Sequence, residues 1–383
     1  MHSFSCAQQS LVLVVGLLAA ACGGDEPAYR LVAEGEYVDL LQSMDLDGKV
    51  CPGGVDEIER QIRELAEEFQ VSIPEGYRLD AYIESSESVV NERCTTVGSV
   101  SACFSDRDAS RTPFVTSARY FRGHEVVHAV QRMRDGGWPH VALFEGEAVL
   151  YAGLSDNPPS DTACSAHRRS EAEIREALGD RAKLGVYSTY HEIVVRVYQT
   201  YGREGFDLLW AASVEDPSTE GLLQAFEDLF GQTLFELMQE PSTTCQDMRP
   251  GCVGLERRTL TKSGLTLPAP NTCGAGINGL ETAAGAERPG LLEHSFLLEI
   301  EEAGDVNISF SGPGGAQVAI AACDGFDGMP PSLGQVVRYA ETNTNFADTP
   351  WPYRFEAGEY RLIVTGLGND EPAEAHLDLV PLE

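Results

Sequence analysis

The chain has 383 residues, of which 43% are hydrophobic and 23% are charged. This composition argues against a wholly disordered protein, and the length allows two domains of ordinary size. The formal net charge of −33 gives a surface that repels nucleic acid, so we expect no nucleic-acid partner.

The chain begins with a segment typical of protein export. An apolar run from Leu11 to Ala21 has the length of a signal-peptide core and is too short to span a bilayer. The small residues before Cys22, and the Gly-Gly-Asp-Glu that follows it, resemble a bacterial lipoprotein processing site. The resemblance implies removal of residues 1–21 as a signal peptide, a membrane anchor through a lipid on Cys22, and a polar tether over residues 22–33. We therefore expect an exported, membrane-anchored lipoprotein in the periplasm or at the cell surface, or a secreted protein if the lipid is not added.

Cysteine usage agrees with an exported protein. Eight cysteines remain once those of the signal peptide and the lipid anchor are set aside, and an even number suggests disulfides. Cys94 and Cys103 are close enough in sequence to close a small loop, and so are Cys245 and Cys252. The sequence has no C-x-x-C pairs, which a cysteine zinc site would need.

Residues 34–252 predict a small sheet followed by helices. Apolar residues recur at helical spacing from Asp56 to Phe69, and Pro74 to Gly76 breaks that helix. Short apolar or alternating runs predict strands at 77–83, 100–104 and 113–116. Helices are predicted over 122–134, 140–154, 170–178, 187–201, 205–212, 219–230 and 234–239. A sheet followed by helices indicates the α+β class.

The helix over 122–134 carries two histidines and a glutamate among apolar residues. His124 and His128 are four residues apart, so they project from one face and can bind one zinc ion. Glu125 lies between them, where its carboxylate can take a proton from the attacking water. The neighbouring valines and alanine offer these polar side chains no partners, and a metal would remove that cost of burial. The segment therefore predicts one catalytic Zn²⁺.

A catalytic zinc site keeps three protein ligands and one open position. The stretch after His128 has no histidine at the metzincin spacing. The next helix carries Phe144-Glu145-Gly146-Glu147-Ala148, which resembles the third-ligand helix of the gluzincin metallopeptidases. The resemblance implies a gluzincin-like catalytic domain with Glu145 as the third ligand and Glu147 as the competing residue. Thermolysin-like enzymes place an acid one turn after that ligand, where this chain has Val149, so another group must support the zinc histidines.

Hydrolysis of an amide forms an oxyanion that needs a donor besides the metal. In gluzincins this donor is a tyrosine or histidine on a later helix, and the Tyr-rich helix over 187–201 resembles that helix. The resemblance favours Tyr187 as the donor, with His191 second.

The chain changes character after Cys252. Residues 253–290 are rich in Gly, Ala, Thr and Pro and predict a linker or an irregular segment. Residues 291–383 predict an all-β sandwich from short runs at 296–300, 306–310, 317–320, 359–364 and 376–379. These runs and the Ala-Gly turns between them resemble the pre-peptidase C-terminal (PPC) domain, a β-sandwich appended to many secreted bacterial peptidases.

Together these features predict a zinc metallopeptidase that hydrolyses peptide or protein substrates outside the cytoplasm. The alternative is a catalytically silent binding or structural lipoprotein on the same scaffold, which the intact Glu125 disfavours. Hydrolysis of a non-peptide amide or ester would use the same metal chemistry. The negative charge of the chain favours basic substrates.

Overall fold

The computed structural model combines helices and sheets, which confirms the α+β prediction. It describes residues 28–94, 102–104, 111–117, 123–134, 137–151, 170–179, 186–239, 255–270, 272–274, 276–281, 290–311, 317–323, 351–368 and 376–381. The predicted signal peptide, Cys22 and the Cys245 and Cys252 pair lie outside these residues. None of the helices described is long and apolar enough to cross a membrane.

The first part of the chain alternates strands and helices before it becomes helical. Its elements are, in order, β1 (Tyr29–Glu34), β2 (Val38–Ser43), β3 (Lys49–Val50), α1 (Gly53–Glu68), β4 (Arg78–Glu84), α2 (Glu87–Cys94), β5 (Ala102–Phe104), β6 (Arg111–Ser117), α3 (Gly123–Gln131), α4 (Val141–Tyr151), α5 (Glu171–Gly179), α6 (Val186–Glu215), α7 (Thr219–Phe230) and α8 (Leu234–Gln239). The predicted strands and helices of this part are therefore confirmed, whereas β1, β2, β3 and α2 were not predicted.

A mixed five-stranded sheet has the order β1-β2-β4-β6-β5. Strands β2, β4 and β6 run parallel, and β1 and β5 pair antiparallel at the two edges. The prediction of a tether up to residue 33 is wrong from Tyr29 onward, because this segment pairs with β2. The error arises because the burial of β1, an edge strand, does not alternate from one residue to the next, so β1 lacks the pattern of a half-buried strand.

Helices of this first part of the chain pack into one core with the five-stranded sheet. Helix α1 contributes Ile58, Ile62 and Leu65, which recur at helical spacing and are fully buried. Helices α4 and α6 approach closely at Gly146, where an added Cβ would lie 2.4 Å from the Tyr190 carbonyl oxygen. The backbone of Gly202 has φ 69°, so α6 is interrupted there, as the two predicted helices 187–201 and 205–212 require.

The elements that the structure describes in the last part of the chain are all strands. They are β7 (Glu256–Leu260), β8 (Leu265–Pro268), β9 (Ile277–Glu281), β10 (Gly290–Ile300), β11 (Gly304–Ser311), β12 (Gln317–Ala322), β13 (Trp351–Phe355), β14 (Gly358–Gly368) and β15 (His376–Pro381). The five predicted strands are confirmed within β10, β11, β12, β14 and β15. The prediction of a linker over 253–290 is wrong, because β7, β8 and β9 lie within it. Each has only four or five residues, too few to show an alternating pattern among the Gly and Thr around them.

These strands form two sheets around a common hydrophobic core. One sheet has the order β12-β14-β10-β9-β3, with β7 also paired to β10, and the other has the order β13-β11-β15-β8. Both sheets bury side chains in this core, including Phe296, Leu298, Ile308, Leu362 and Leu379. Strand β3 comes from the first part of the chain, so the two parts share a sheet.

Covalent and polar contacts reinforce this junction between the two parts. A disulfide joins Cys51 to Cys273 across 222 residues of sequence, and Arg361 on β14 donates to the Glu57 carboxylate on α1. An added Cβ on Gly53, at the start of α1, would lie 2.4 Å from the Ile277 carbonyl oxygen. The predicted Cys94–Cys103 disulfide is confirmed, whereas the long-range disulfide was not predicted.

Candidate metal centre

Two neighbouring helices bring the predicted ligands together. His124 and His128 project from the same face of α3, with their ring centroids 4.6 Å apart. Glu145 on α4 reaches both rings, because its Oε2 atom lies 3.1 Å from Nε2 of His124 and 3.3 Å from Nε2 of His128. Gln61 of α1 donates to the carbonyl oxygen of Gly123, which fixes the start of α3 against α1.

The three side chains fit a metal ion. One ligand atom from each lies within 4.8 Å of the others. A tetrahedral zinc site with bonds of about 2.0–2.1 Å separates its ligand atoms by about 3.3 Å, close to both distances from Glu145. Two imidazole nitrogens and one carboxylate oxygen are also a donor set that zinc accepts. The His124, His128 and Glu145 group could therefore hold a metal ion.

Gln131 supports His128 from behind. The Nδ1–H of His128 donates to Oε1 of Gln131 at 2.8 Å. The amide of Gln131 is itself oriented, because its Nε2 donates to the Phe144 carbonyl oxygen at 3.0 Å and to Oε2 of Glu147 at 2.8 Å. This arrangement sets the tautomer of His128 and leaves its Nε2 lone pair for a metal. Gln131 therefore fills the supporting role that Val149 cannot.

Glu147 belongs to this support and not to the ligand set. Its side chain is fully buried, and its Oε1 atom accepts hydrogen bonds from Arg134 at 2.7 Å and from the Tyr198 hydroxyl at 2.9 Å. Its other oxygen accepts from Gln131. Because Glu147 lies two residues after Glu145, it points to a different side of α4, away from the histidines. Of the two competing glutamates, Glu145 is the one placed to bind a metal.

Phe144 completes the surroundings of His128. Its ring lies parallel to the imidazole, with the centroids 4.1 Å apart and an angle of 5° between the planes. This stacking limits tilting of the His128 ring, while the hydrogen bond to Gln131 fixes the direction in which the ring nitrogens point. Sequence reasoning did not predict roles for Gln131 or Phe144. A polar residue one turn after His128, in an otherwise apolar helix, was the available signal for Gln131.

Tyr187 is the predicted oxyanion donor that the structure places beside the ligands. Its ring meets the His124 ring edge to face, with centroids 6.1 Å apart, and the side chain is partly exposed. Burial and the negative charges of Glu145 and Glu125 raise the pKa of its hydroxyl, which therefore stays protonated. His191 follows one turn later on α6 and is buried, and its role as a donor stays a prediction.

The electrostatics of the centre favour positive charge. Burial disfavours the imidazolium of His128, but the Glu145 carboxylate outweighs burial and raises the pKa of His128 to about 9. Burial likewise disfavours the charged form of Glu145, yet the two histidines hold its pKa well below the ordinary value. Glu125, 8% exposed, adds to the negative potential at His128. In the metal-free protein, the proton on His128 therefore supplies part of the positive charge that a bound metal cation would supply.

Comparisons with known proteins assign no family to this chain. No protein-family model matches it, and no curated protein matches it. One similar solved structure is the pre-peptidase C-terminal domain of a collagenase from Bacillus anthracis, with 12% identity over 33% of this chain and 93% of that chain, at a TM-score of 0.19. A β-glucosidase from Paenibacillus barengoltzii is 14% identical over 47% of this chain and 18% of that chain, at a TM-score of 0.17. These scores are too low to assign a fold or a function.

Proposed function

We propose that this chain is a zinc-dependent hydrolase of peptide bonds, with a gluzincin-like ligand set of His124, His128 and Glu145. The observation that supports it is the convergence of these ligand atoms within 4.8 Å, with Glu125 between the two histidines on α3. Glu125 lies next to the proposed ligands without being one of them. A purely structural metal site would not require an acid at this position. We further propose that the C-terminal sheets form a PPC-like sandwich.

The residues of the chain divide the chemistry among them. Zinc, when bound, supplies a Lewis acid that lowers the pKa of water and polarises a carbonyl oxygen. Glu125 accepts the proton of the attacking water and passes it to the leaving amine as the carbon–nitrogen bond breaks. The protonated hydroxyl of Tyr187 donates a hydrogen bond to the oxygen on which negative charge develops, with His191 as the second choice for this role. Gln131 and Phe144 hold His128 in place throughout.

The proposed setting is outside the cytoplasm. The disulfides support it, because such bonds persist in oxidising compartments. The signal-like segment and Cys22 support a lipid anchor in the membrane, and the charge of −33 argues against a nucleic-acid partner. The proposed substrates are peptides or proteins.

The decisive experiment compares the wild type with Glu125→Gln. Zinc content is measured by mass spectrometry, and cleavage is measured with a peptide library. We expect one zinc per chain in both proteins and a loss of cleavage of about 10²–10⁴-fold in the variant, since the general base is gone. Glu227→Gln, at an exposed position on α7, is the matched control and should cleave as the wild type does.

Three other outcomes are informative. A protein without zinc, or equal cleavage by wild type and Glu125→Gln, contradicts the proposed mechanism. Full zinc without cleavage of any peptide favours the catalytically silent scaffold. Full zinc with Glu125-dependent hydrolysis of ester or non-peptide amide probes alone keeps the mechanism and changes the substrate.

A further inference from the structure

Two exposed aromatic side chains border the metal centre on different sides. Among the large hydrophobic residues that the structure describes as exposed, Trp138 and Tyr187 are the aromatic ones, with 41% and 43% of their surface accessible. Tyr187 adjoins His124. Trp138 adjoins His128 through Phe144, because its ring meets Phe144 edge to face with centroids 4.7 Å apart. Phe144 in turn stacks on His128.

The backbone around Trp138 is anchored, so its indole has a defined position. Gly137 before it has φ 105°, a conformation that favours glycine. Pro139 after it is buried, and the backbone N–H of His140 donates to the Ser213 hydroxyl of α6 at 2.7 Å. The His140 ring accepts from the backbone N–H of Ala142 in the first turn of α4. An exposed indole is thus presented from an anchored segment directly before α4.

Side-chain contacts hold the indole as well. The guanidinium of Arg132 lies over the Trp138 ring, 4.3 Å from its centroid, and Phe144 contacts the ring from another direction. These contacts reduce the conformational freedom that binding would otherwise remove, which is how rigid aromatic anchors gain affinity. Leu208 on α6 is more exposed than Trp138, at 52%, so exposure alone does not distinguish Trp138.

We propose that Trp138, backed by Phe144, forms a substrate subsite for a large apolar side chain, preferably an aromatic one, next to the bond that is cleaved. This inference rests on the proposed function, because it assigns a substrate class to the same centre. The indole face and the Phe144 edge offer the geometry that aromatic rings prefer, and their continuity with His128 places the bound side chain close to the reacting atoms.

Charge disfavours ionic side chains in this subsite. The Arg132 guanidinium over the indole repels a basic side chain at short range. The formal charge of −33 repels acidic substrates at long range, although Arg132 could still attract an acidic side chain once it has arrived. An uncharged aromatic side chain is repelled by neither charge. Binding of an acidic side chain is tested below with an aspartate probe.

The test uses hydroxamates, which chelate zinc and need no catalysis to bind. The probes are the hydroxamates of N-acetylphenylalanine, N-acetylalanine and N-acetylaspartate, titrated calorimetrically into zinc-loaded full-length protein. The proteins are the wild type, Trp138→Ala, Trp138→Phe and the control Leu208→Ala. We expect the wild type and Leu208→Ala to bind the phenylalanine probe at least about tenfold more tightly than the alanine probe. Trp138→Ala should lower this ratio to near one with the alanine probe unaffected, and Trp138→Phe should retain part of the preference.

The outcomes separate this proposal from the proposed function. An equal phenylalanine-to-alanine ratio in the wild type and Trp138→Ala overturns the aromatic subsite while the zinc centre stands. Tightest binding of the aspartate probe by the wild type also overturns it, in favour of anion recognition by Arg132. A protein that takes up no zinc contradicts the proposed function, and the subsite falls with it. A loss of zinc in Trp138→Ala alone would identify Trp138 as a support of His128, contrary to the proposal, and Trp138→Phe would show whether ring stacking is the cause.

Discussion

Two glutamates that each lie close to two arginines position different parts of this molecule. Glu147, behind the metal centre, accepts from Arg134 and lies 3.8 Å from a guanidinium nitrogen of Arg203. Glu57, at the junction between α1 and the C-terminal sheets, accepts from Arg60 and from Arg361. Each glutamate thus offsets two cations, but only Glu147 also accepts from neutral donors, Tyr198 and Gln131.

The difference lies in what each carboxylate positions. Through Gln131, Glu147 determines the tautomer of His128, so its charge acts on a proposed ligand. Glu57 accepts from Arg361, which is 304 residues away in sequence, and so positions whole elements. Burial and the charge of Arg361 lower the pKa of Arg60 to about 9, which shows that the junction keeps two cations close together at an energetic cost. We infer that one network orients a site and the other joins two parts of the chain.

The largest expected effects come from neutralising each glutamate. Glu147→Gln leaves Arg134 buried without its carboxylate, and Glu57→Gln removes the anion between two guanidiniums. Glu147→Gln should lower the free energy of unfolding by about 3–5 kcal/mol, the cost of breaking a buried ion pair. Glu57→Gln should lower it by less, because Glu57 is only partly buried. Of the two variants, only Glu147→Gln should also weaken zinc binding, because Glu147 helps to orient Gln131 and Glu57 does not contact it. Chemical denaturation in the presence of a chelator measures stability, and competition with a chromophoric chelator measures zinc affinity. Equal zinc affinity in the two variants would remove the distinction between the networks.

A smaller effect is expected from Gln131→Leu, which removes the acceptor for Nδ1 of His128. Loss of such a supporting group should lower zinc affinity by about 10–100-fold. The free energy of unfolding should fall by only about 1–3 kcal/mol, the cost of leaving buried polar groups without partners. Gln224→Leu, at an exposed position on α7, is the control for removing a glutamine from a helix.

A double variant tests whether the hydrogen bond itself matters. Gln131→Glu combined with Glu147→Gln restores an acceptor for His128 and keeps one carboxylate and one amide in the pair. It should bind zinc more tightly than Gln131→Leu does. If both bind equally weakly, the packing of Gln131 matters and its hydrogen bond to His128 does not.

The distance in sequence between contacting residues explains which features the sequence could predict. The proposed ligands His124, His128 and Glu145 lie within 22 residues on two consecutive helices, so helical spacing and a local resemblance were sufficient to predict the group that the structure brings together. The Cys94–Cys103 disulfide was predicted for the same reason, since it closes a loop with a sequence separation of 9. The Cys51–Cys273 disulfide and the pairing of β3 with β9 depend on contacts across more than 200 residues, which no local pattern encodes.

The residues that support His128 lie close to it in sequence, but their roles depend on contacts between helices. Gln131 is near the ligands in sequence, but its importance depends on the amide orientation that Phe144 and Glu147 impose from the next helix. Trp138 reads as an ordinary loop residue until its position beside Phe144 is known. Spacing identifies side chains that share a face of one helix, whereas tertiary packing decides which neighbours orient them.

The smallest effect, and one confined to the metal centre, is proton release when zinc binds. In the metal-free protein the pKa of His128 is raised from 6.5 to about 9, so His128 is protonated at pH 7 and zinc must displace that proton. We expect release of about one proton at pH 7, falling toward zero above pH 9, and a zinc affinity that rises about tenfold per pH unit between them. Calorimetry in two buffers with different ionisation enthalpies measures the proton count.

The sign of the accompanying stability change follows from the same shifts. Because the folded pKa of His128 is raised, its contribution to metal-free stability is complete below pH 6.5 and is lost as pH rises through about 9. Because the folded pKa of Glu145 is lowered, its contribution is complete above pH 4.5 and is lost at lower pH. The pair therefore stabilises the metal-free protein most between these limits, and stabilisation by zinc should grow as pH rises above 6.5. Binding without proton release at pH 7 would mean that His128 is already neutral, and that Gln131 alone, without the charge of Glu145, sets its protonation.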